Sequence, residues 1–315
     1  MADGRPRHDL RRQRRMEQVG RRLLGQRTRL LREHQLPRVV LAFLLLQSNQ
    51  FQGDLRVQSY FGHEYHTTTG EFNFQLLQNI KQFPNWAIFD KLGVNYKDHN
   101  EVIKNCIRVQ ESFNKKETVG LVKTHNMLFN FNGKFPFTNL ENTLGVIYIV
   151  RDPRNVVLSY ARHLKISPEE TVKFMTKGKA NDMFLMGNWA ENFISWKQFS
   201  NYNKYLLIKY EDLENKKKST LLKVFKYLQT LGVEFKFDMV KLNKSIKATE
   251  FDKMKNLEKK EIFTESTIDP KTGKRKVFFN LGPKNDWRKI LDEKNREIIE
   301  KNFQKEMLEL GYLRL

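Results

Sequence analysis

An arginine directly follows an apolar segment in the stretch IYIVRDPRNVVLSYARHL, residues 147–164. Residues 147–150 are all apolar and mostly β-branched or aromatic, which predicts a strand buried on both faces. Arg151 then lies at the carboxyl end of this strand, where open α/β sheets bind their ligands. Its guanidinium can fork onto a phosphate, and Ser159 on the following helix can add a hydroxyl. We therefore predict an anion-binding corner here; the alternative is a surface ion pair between Arg151 and Asp152.

A second predicted strand ends in the residues VKTH, which contain Lys123 and His125. The two side chains are two positions apart, so both lie on the same face of an extended chain. Imidazole titrates near neutral pH and can serve as a general base, and a neighbouring cation can stabilise developing negative charge. A lone histidine is more often structural, and only the adjacent lysine favours a catalytic interpretation.

The elements that must position these residues alternate between strands and helices. That alternation predicts a parallel α/β sheet flanked by helices. The predicted strands are residues 118–125, 143–150 and 204–213, the last as a buried strand, and the predicted helices are residues 71–80, 99–113, 153–164, 188–199 and 219–232.

Taken together, VKTH, RDPRNVVLSY, IKYEDL and TEFDKMK resemble the sulfotransferase family in order and spacing over residues 70–313. The resemblance implies a P-loop-NTPase-like fold and transfer of a sulfuryl group from 3'-phosphoadenylyl sulfate (PAPS) to a hydroxyl or amine. It implies His125 as the base and Lys123 as its supporting cation, with no metal. The residues that it implies for nucleotide binding are Arg151, Ser159, Tyr210, Thr249, Phe251 and Gly282. The acceptor would be a small molecule or a glycan, which no motif identifies further.

The sequence departs from the family at two places. The family begins with a strand and a loop of the type Pro-Lys-Ser-Gly-x-Thr-Trp, which holds the 5'-phosphosulfate, and no such loop occurs before residue 70. We therefore expect the first, central strand and the phosphate loop to be missing or replaced. The second departure is Asn280-Leu281-Gly282, where the family usually has Arg-Lys-Gly. The two cations are lost there, although Lys284 or nearby lysines could compensate.

The formal net charge of +21 suggests a nucleic-acid partner, but the charge distribution argues against one. Beyond residue 60 it is mostly lysine mixed with acidic residues, and no zinc-finger, RNA-recognition or basic-zipper pattern accompanies it. The longest apolar run near the start, Val39–Leu46, is too short to span a bilayer. The single cysteine, Cys106, excludes an intrachain disulfide. These features predict a soluble cytoplasmic protein without a specific nucleic-acid partner.

Composition changes near residue 65. All lysines lie from Lys81 onward, whereas 13 of the 21 arginines precede residue 61. Folding physics demands no such switch, because both cations serve on exposed surfaces. Residues 1–65 are therefore either an artefact of the coding sequence or a genuine basic arm that binds a polyanion or a membrane surface, ahead of a sulfotransferase domain at 66–315. If the arm is genuine, the alternative is that the protein is a catalytically dead relative of the family that still binds a nucleotide.

Overall fold

A five-stranded parallel sheet forms the centre of the molecule in the computed structural model. The structure describes residues 38–44, 81–113, 119–177, 180–181, 184–233, 235–260 and 285–314, together with positions 273, 277 and 279. The sheet strands are β1 (Arg38–Leu44), β2 (Lys81–Gln82), β3 (Val119–Thr124), β6 (Thr143–Val150) and β9 (Tyr205–Lys209). Their order across the sheet is β2-β3-β1-β6-β9, which confirms the predicted parallel α/β fold.

The first strand is present, so the expectation that it is missing was wrong. β1 lies between β3 and β6 and pairs in parallel with both, with Phe43 opposite Thr124 on one side and Tyr148 on the other. The apolar run Val39–Leu46 therefore contributes most of the central strand. The residues that follow it, 45–80, lie outside the described part of the chain. The predicted helix at 71–80 falls there, and so does the segment expected to lack or replace the phosphate loop, so that expectation stays a prediction.

Two antiparallel hairpins lie outside the main sheet. β4 (Asn130–Phe131) pairs with β5 (Phe135–Pro136), and β7 (Ala180–Asn181) pairs with β8 (Phe184–Leu185). A 3₁₀ turn covers Gln198–Tyr202. The described helices are α1 (Trp86–Lys91), α2 (His99–Phe113), α3 (Pro153–Leu164), α4 (Pro168–Lys177), α5 (Trp189–Lys197), α6 (Tyr210–Asn215), α7 (Lys217–Thr230), α8 (Met239–Ala248), α9 (Phe251–Lys259), α10 (Trp287–Ile290), α11 (Glu293–Asn302) and α12 (Gln304–Glu309).

Helices cover both faces of the sheet, and β6 joins the two cores. All eight residues of β6 are buried. Tyr148 and Val150 enter an apolar cluster with α2, α3, α4 and α5, whereas Ile147 and Ile149 enter a second cluster with α7. A strand with cores on both faces needs mostly apolar residues, which explains the apolar run at 146–150.

The structure confirms the predicted helices at 99–113 and 153–164, and the one at 219–232 starts two residues earlier, at Lys217. Asn188 caps α5 with a reciprocal capping box to Glu191, so the helix predicted there starts one residue later. The third predicted strand is shorter than expected. β9 is an edge strand with Leu207 38% exposed, and Tyr210 already begins α6, so this segment is not a fully buried strand.

Candidate functional site

The carboxyl ends of four parallel strands meet at one edge of the sheet. In register, Phe43 of β1 lies opposite Thr124 of β3, and Leu44 lies opposite Ile149 of β6. Val150 at the end of β6 lies opposite Lys209 of β9. Adjacent strands are about 5 Å apart, so β3 and β6 end about 10 Å from each other, with the end of β1 between them.

Arg151 and Tyr210 come directly after β6 and β9 and meet at this edge. The guanidinium carbon of Arg151 lies 4.5 Å from the centre of the Tyr210 ring, and both side chains are buried. The quadrupole of an aromatic ring attracts a cation that lies over its face. The Arg151 guanidinium is therefore already held in place, and it loses little conformational freedom when it binds an anion. The structure therefore brings together two of the residues that the sequence analysis singled out.

The turn after Arg151 is held by an ionic network. Asp152 caps α3 by accepting from the backbone N–H of Arg154, and its carboxylate also forms an ion pair with the Arg154 guanidinium at 2.7 Å. Arg154 also bonds Glu300 at 2.6 Å and the carbonyl of Tyr312. Burial alone lowers the pKa of Arg154, but the two carboxylates outweigh it and raise the pKa overall. Arg154 therefore stays charged and fixes the turn.

Tyr312, which follows α12, reaches the same turn from the other side. Its hydroxyl donates to Glu211 at 2.9 Å, and the Glu211 carboxylate accepts from the backbone N–H of Asp152. Burial, with a further contribution from the Glu211 charge, raises the pKa of Tyr312 well above its ordinary value. The phenol therefore remains a donor at physiological pH.

Ser159 lies on the second turn of α3, and its hydroxyl has two protein contacts. It donates to the carbonyl of Asn155 at 3.3 Å and accepts from Nδ2 of Asn285 at 2.8 Å. Asn285 also bonds the Asn155 carbonyl at 3.2 Å, and the N–H of Trp287 donates to Asn155 Oδ1 at 2.9 Å. Sequence reasoning missed both asparagines. Asn155 follows Arg151 by one helical turn, which was the available signal, but Asn285 is 126 residues from Ser159.

Lys123 and His125 lie at the end of β3, two strands from Arg151. Lys123 is buried and pairs with Ala42 of β1, and His125 is partly buried in the loop that follows. Helix α5 holds this loop: Nδ2 of Asn192 donates to the His125 carbonyl, and Nε1 of Trp196 donates to the Asn126 carbonyl. The strand places both side chains at the same sheet edge as Arg151.

Thr249 and Phe251 lie where α8 ends and α9 begins. The Thr249 hydroxyl, at the C-cap of α8, is buried and donates to the Ser245 carbonyl at 2.8 Å. The Phe251 ring meets Phe279 edge to face at 5.9 Å, in the same apolar cluster as Tyr210 and Met254. Phe251 thus shares a core with Tyr210, whereas Gly282 lies outside the described residues.

Two further properties concern the described residues alone. No described helix is long and apolar enough to cross a membrane. Within the same residues, no group of three or more His, Cys, Asp and Glu side chains is arranged to hold a metal ion.

Sequence comparison gives a match to the family model described as "Sulfotransferase domain" over residues 48–311. Rat sulfotransferase 1E1 is 27% identical over 229 residues, 70% of this chain and 72% of that protein. Rat sulfotransferase 2A2 is 30% identical over 176 residues, 51% of this chain and 56% of that protein. For three other curated relatives, the match with this chain covers 61% of the length of the relative.

Solved structures show the same fold. A mouse sulfotransferase, SULT7A1, complexed with PAP, has a TM-score of 0.54 at 15% identity and covers 86% of this chain and 84% of its own. A retinol dehydratase in complex with androsterone and PAP has a TM-score of 0.50 at 15% identity, over 93% and 86%. Since the family model matches most of the sequence and the fold agrees, this chain belongs to the sulfotransferase family.

Proposed function

We propose that the protein transfers a sulfuryl group from PAPS to a hydroxyl or amine acceptor in the cytoplasm. The observation that carries the proposal is the pair formed by Arg151 and Tyr210 at the carboxyl edge of the sheet, with Lys123 and His125 two strands away. A nucleotide that spans this edge can reach both groups, because the strand ends are separated by about 10 Å. The family membership supports PAPS as the donor.

Nucleotide binding is assigned to the corner beyond β6. Arg151 and Ser159 bind the 3'-phosphate through charge-assisted hydrogen bonds, which are stronger than neutral ones. Tyr210 and Thr249 contact the adenine and Phe251 stacks on it. The buried ring of Tyr210 and the partly buried ring of Phe251 belong to one apolar cluster, which supports this assignment. Gly282 is proposed to let its backbone approach the same phosphate.

The chemistry is assigned to the end of β3. His125 takes the proton from the acceptor hydroxyl as the acceptor oxygen forms its bond to sulfur, and the bond from sulfur to the 5'-phosphate oxygen breaks. Lys123 donates to the oxygens on which charge develops, which is the logic of in-line phosphoryl transfer. The products are the sulfated acceptor and 3',5'-bisphosphoadenosine (PAP). A small molecule or a glycan serves as acceptor.

Titration with PAP tests the nucleotide site directly. Calorimetry should show binding to the wild-type chain and a loss of about 10-fold or more for Arg151→Ala, because a charge-assisted contact is removed. Arg108→Ala is the matched control, since Arg108 is an exposed arginine on α2 that bonds the Leu92 carbonyl. Equal affinities for PAP in all three proteins, or no binding by any, would contradict the proposal.

A second candidate function is a catalytically dead nucleotide-binding relative with a polyanion-binding N-terminal arm. The observation in its favour is that no Lys-Ser-Gly-x-Thr sequence precedes residue 70. Removal of residues 1–37 tests it, because that deletion leaves the central strand Arg38–Leu44 intact. Heparin affinity that disappears with the deletion, in a chain that binds PAP without transferring sulfate, would favour this candidate.

A further inference from the structure

Asn285 makes contacts that the proposed function does not yet use. It is only 5% exposed, and its Nδ2 donates both to the Ser159 hydroxyl and to the Asn155 carbonyl. Its Oδ1 is buried and has no hydrogen-bond partner among the described residues. The buried Asn285 amide thus contacts the Ser159 hydroxyl, which is proposed to bind a phosphate. A contact of this kind needs a functional explanation as well as a structural one.

The orientation of this amide follows from chemistry. A backbone carbonyl can only accept, so the group that faces the Asn155 carbonyl must be the NH₂ of Asn285 and not its oxygen. The same NH₂ then donates to the Ser159 oxygen at 2.8 Å. One lone pair of that oxygen is therefore occupied, and the hydroxyl proton must point elsewhere.

The hydroxyl proton of Ser159 has a competing acceptor on its own helix. Serine in a helix commonly bonds the carbonyl four residues earlier, and Ser159 does so here with Asn155, at a long 3.3 Å. If the proton turned away without a substitute donor, the Asn155 carbonyl would lose a partner. Asn285 supplies that substitute, because its NH₂ already reaches the same carbonyl.

We propose that Asn285 is a positioning residue that frees the Ser159 hydroxyl to donate to the 3'-phosphate. It occupies the oxygen lone pair on one side and satisfies the Asn155 carbonyl when the proton rotates to the anion. This inference rests on the proposed nucleotide site. It assigns to Asn285 a selectivity for nucleotides that carry a 3'-phosphate, without direct contact with the phosphate.

The segment around Asn285 is fixed to the same turn of α3. The N–H of Trp287 donates to Asn155 Oδ1, and the Trp287 ring lies 3.9 Å from the Arg154 guanidinium. Asp286 caps α10 by accepting from the N–H of Arg288. Asn285 is therefore held in place by its chain neighbours, and its side chain can act on Ser159 without the segment depending on it.

The test compares PAP with adenosine 5'-monophosphate (AMP), which lacks the 3'-phosphate, by calorimetry on the full chain. Asn285→Ala should weaken PAP binding by about 5-fold and leave AMP binding within about 2-fold. Asn285→Asp keeps the volume but can only accept, so it draws the Ser159 proton away and adds a repelling charge. We expect it to weaken PAP binding by roughly 30-fold with a much smaller effect on AMP.

Asn295→Ala is the matched control, because Asn295 is another buried asparagine; it lies on α11 and is bonded through Nδ2 to Asp292, the N-cap of that helix. It should change PAP and AMP affinities equally, if at all. A parallel loss for both nucleotides in the Asn285 variants would reduce Asn285 to a structural residue and overturn the inference.

Ser159→Ala separates this inference from the proposed function. If Ser159→Ala weakens PAP relative to AMP and the Asn285 variants do not, the inference alone fails. If neither Ser159→Ala nor Arg151→Ala changes PAP affinity, the nucleotide site itself is wrong. Should Asn285→Ala fold poorly by circular dichroism, Asn285→Leu decides instead through its ratio of PAP to AMP affinity, because it keeps the volume and removes the donor without adding a charge.

Discussion

The two candidate strand ends, at Arg151 and at His125, are held in place by different kinds of interaction. The donor corner, which we define as Arg151, Asp152 and Tyr210, is supported by ionic and charge-assisted contacts from the last helices. Arg154 bonds Glu300, and Tyr312 bonds Glu211, so the C-terminal residues reach back over more than 100 positions. A buried or half-buried ion pair of this kind is costly in stability to break, because removal of one partner leaves the charge of the other uncompensated.

The base loop, which we define as residues 125–128, is supported by neutral groups of one helix and one hairpin. Asn192, Ser195 and Trp196 of α5 bond the His125 carbonyl, the Leu128 N–H and the Asn126 carbonyl. The N–H of Met127 donates to the Leu185 carbonyl of β8. Under the proposed function, the donor corner retains the phosphate of the nucleotide and the base loop fixes the position of His125. Damage to the first should affect binding, and damage to the second should affect the rate.

The largest expected effect is that of Arg154→Ala, which removes the cation paired with Asp152 of the donor corner. It leaves the buried Asp152 and the partly buried Glu300 without their cation, which should lower the free energy of unfolding by about 3–5 kcal/mol in a urea titration. PAP affinity should fall as the turn at Arg151 loosens. Lys173→Ala breaks only an exposed ion pair with Glu169 and should cost about 0.5 kcal/mol or less. Equal losses of unfolding free energy in the two variants would contradict the claim that buried ionic contacts stabilise the donor corner.

A smaller effect is expected for Trp196→Phe on α5, whose Nε1 bonds the base loop. It deletes the Nε1 bond to the Asn126 carbonyl and should cost about 1–3 kcal/mol of stability. The transfer rate should fall by about 10-fold or more through misplacement of His125, with PAP affinity unchanged.

Trp189→Phe provides the matched control for that variant. Trp189 is equally buried on the same helix, but its Nε1 has no hydrogen-bond partner among the described residues. The control should therefore keep the wild-type transfer rate. Two tryptophan variants with the same rate would show that the Asn126 contact does not position the base.

The smallest effect concerns Tyr312 and pH. Because the folded pKa of Tyr312 lies well above 10, the unfolded chain releases this proton first as the solution becomes alkaline. The stabilisation is therefore complete below pH 10 and declines as pH rises further. Urea titrations at pH 8 and pH 10.5 should show a smaller decline for Tyr312→Phe than for the wild type. Tyr148, Tyr205 and Tyr227 also have raised pKa values and should leave a residual decline.

Much of the fold could be predicted because its signals are local. The mostly apolar stretch at 143–150 and the Pro153 helix start predicted β6 and α3 with their observed bounds. β1 was missed because a short apolar run does not reveal its partners, and its place between β3 and β6 depends on pairing with residues about 80 and 105 positions away. The predicted end of β9 was wrong because α6 begins at Tyr210, directly after the strand.

The same distinction applies to the site. Arg151 and Tyr210 were found because each follows a strand in a short motif, and the structure brings the two together. Asn192 and Asn285 have no motif of their own, and each acts on a residue far away in the chain, 67 positions in the case of His125. Their roles depend on tertiary packing, which the local pattern does not encode.

The most direct test of a division between binding and chemistry is one variant, His125→Ala, measured twice. PAP affinity is measured by calorimetry, and sulfuryl transfer is measured with sulfur-35-labelled PAPS and a panel of phenols, alcohols and amines. Our account predicts that PAP affinity stays within about 2-fold while transfer falls by about 10²–10⁴-fold, the usual contribution of a general base. Transfer at the wild-type rate, or a parallel loss of PAP binding, would contradict it.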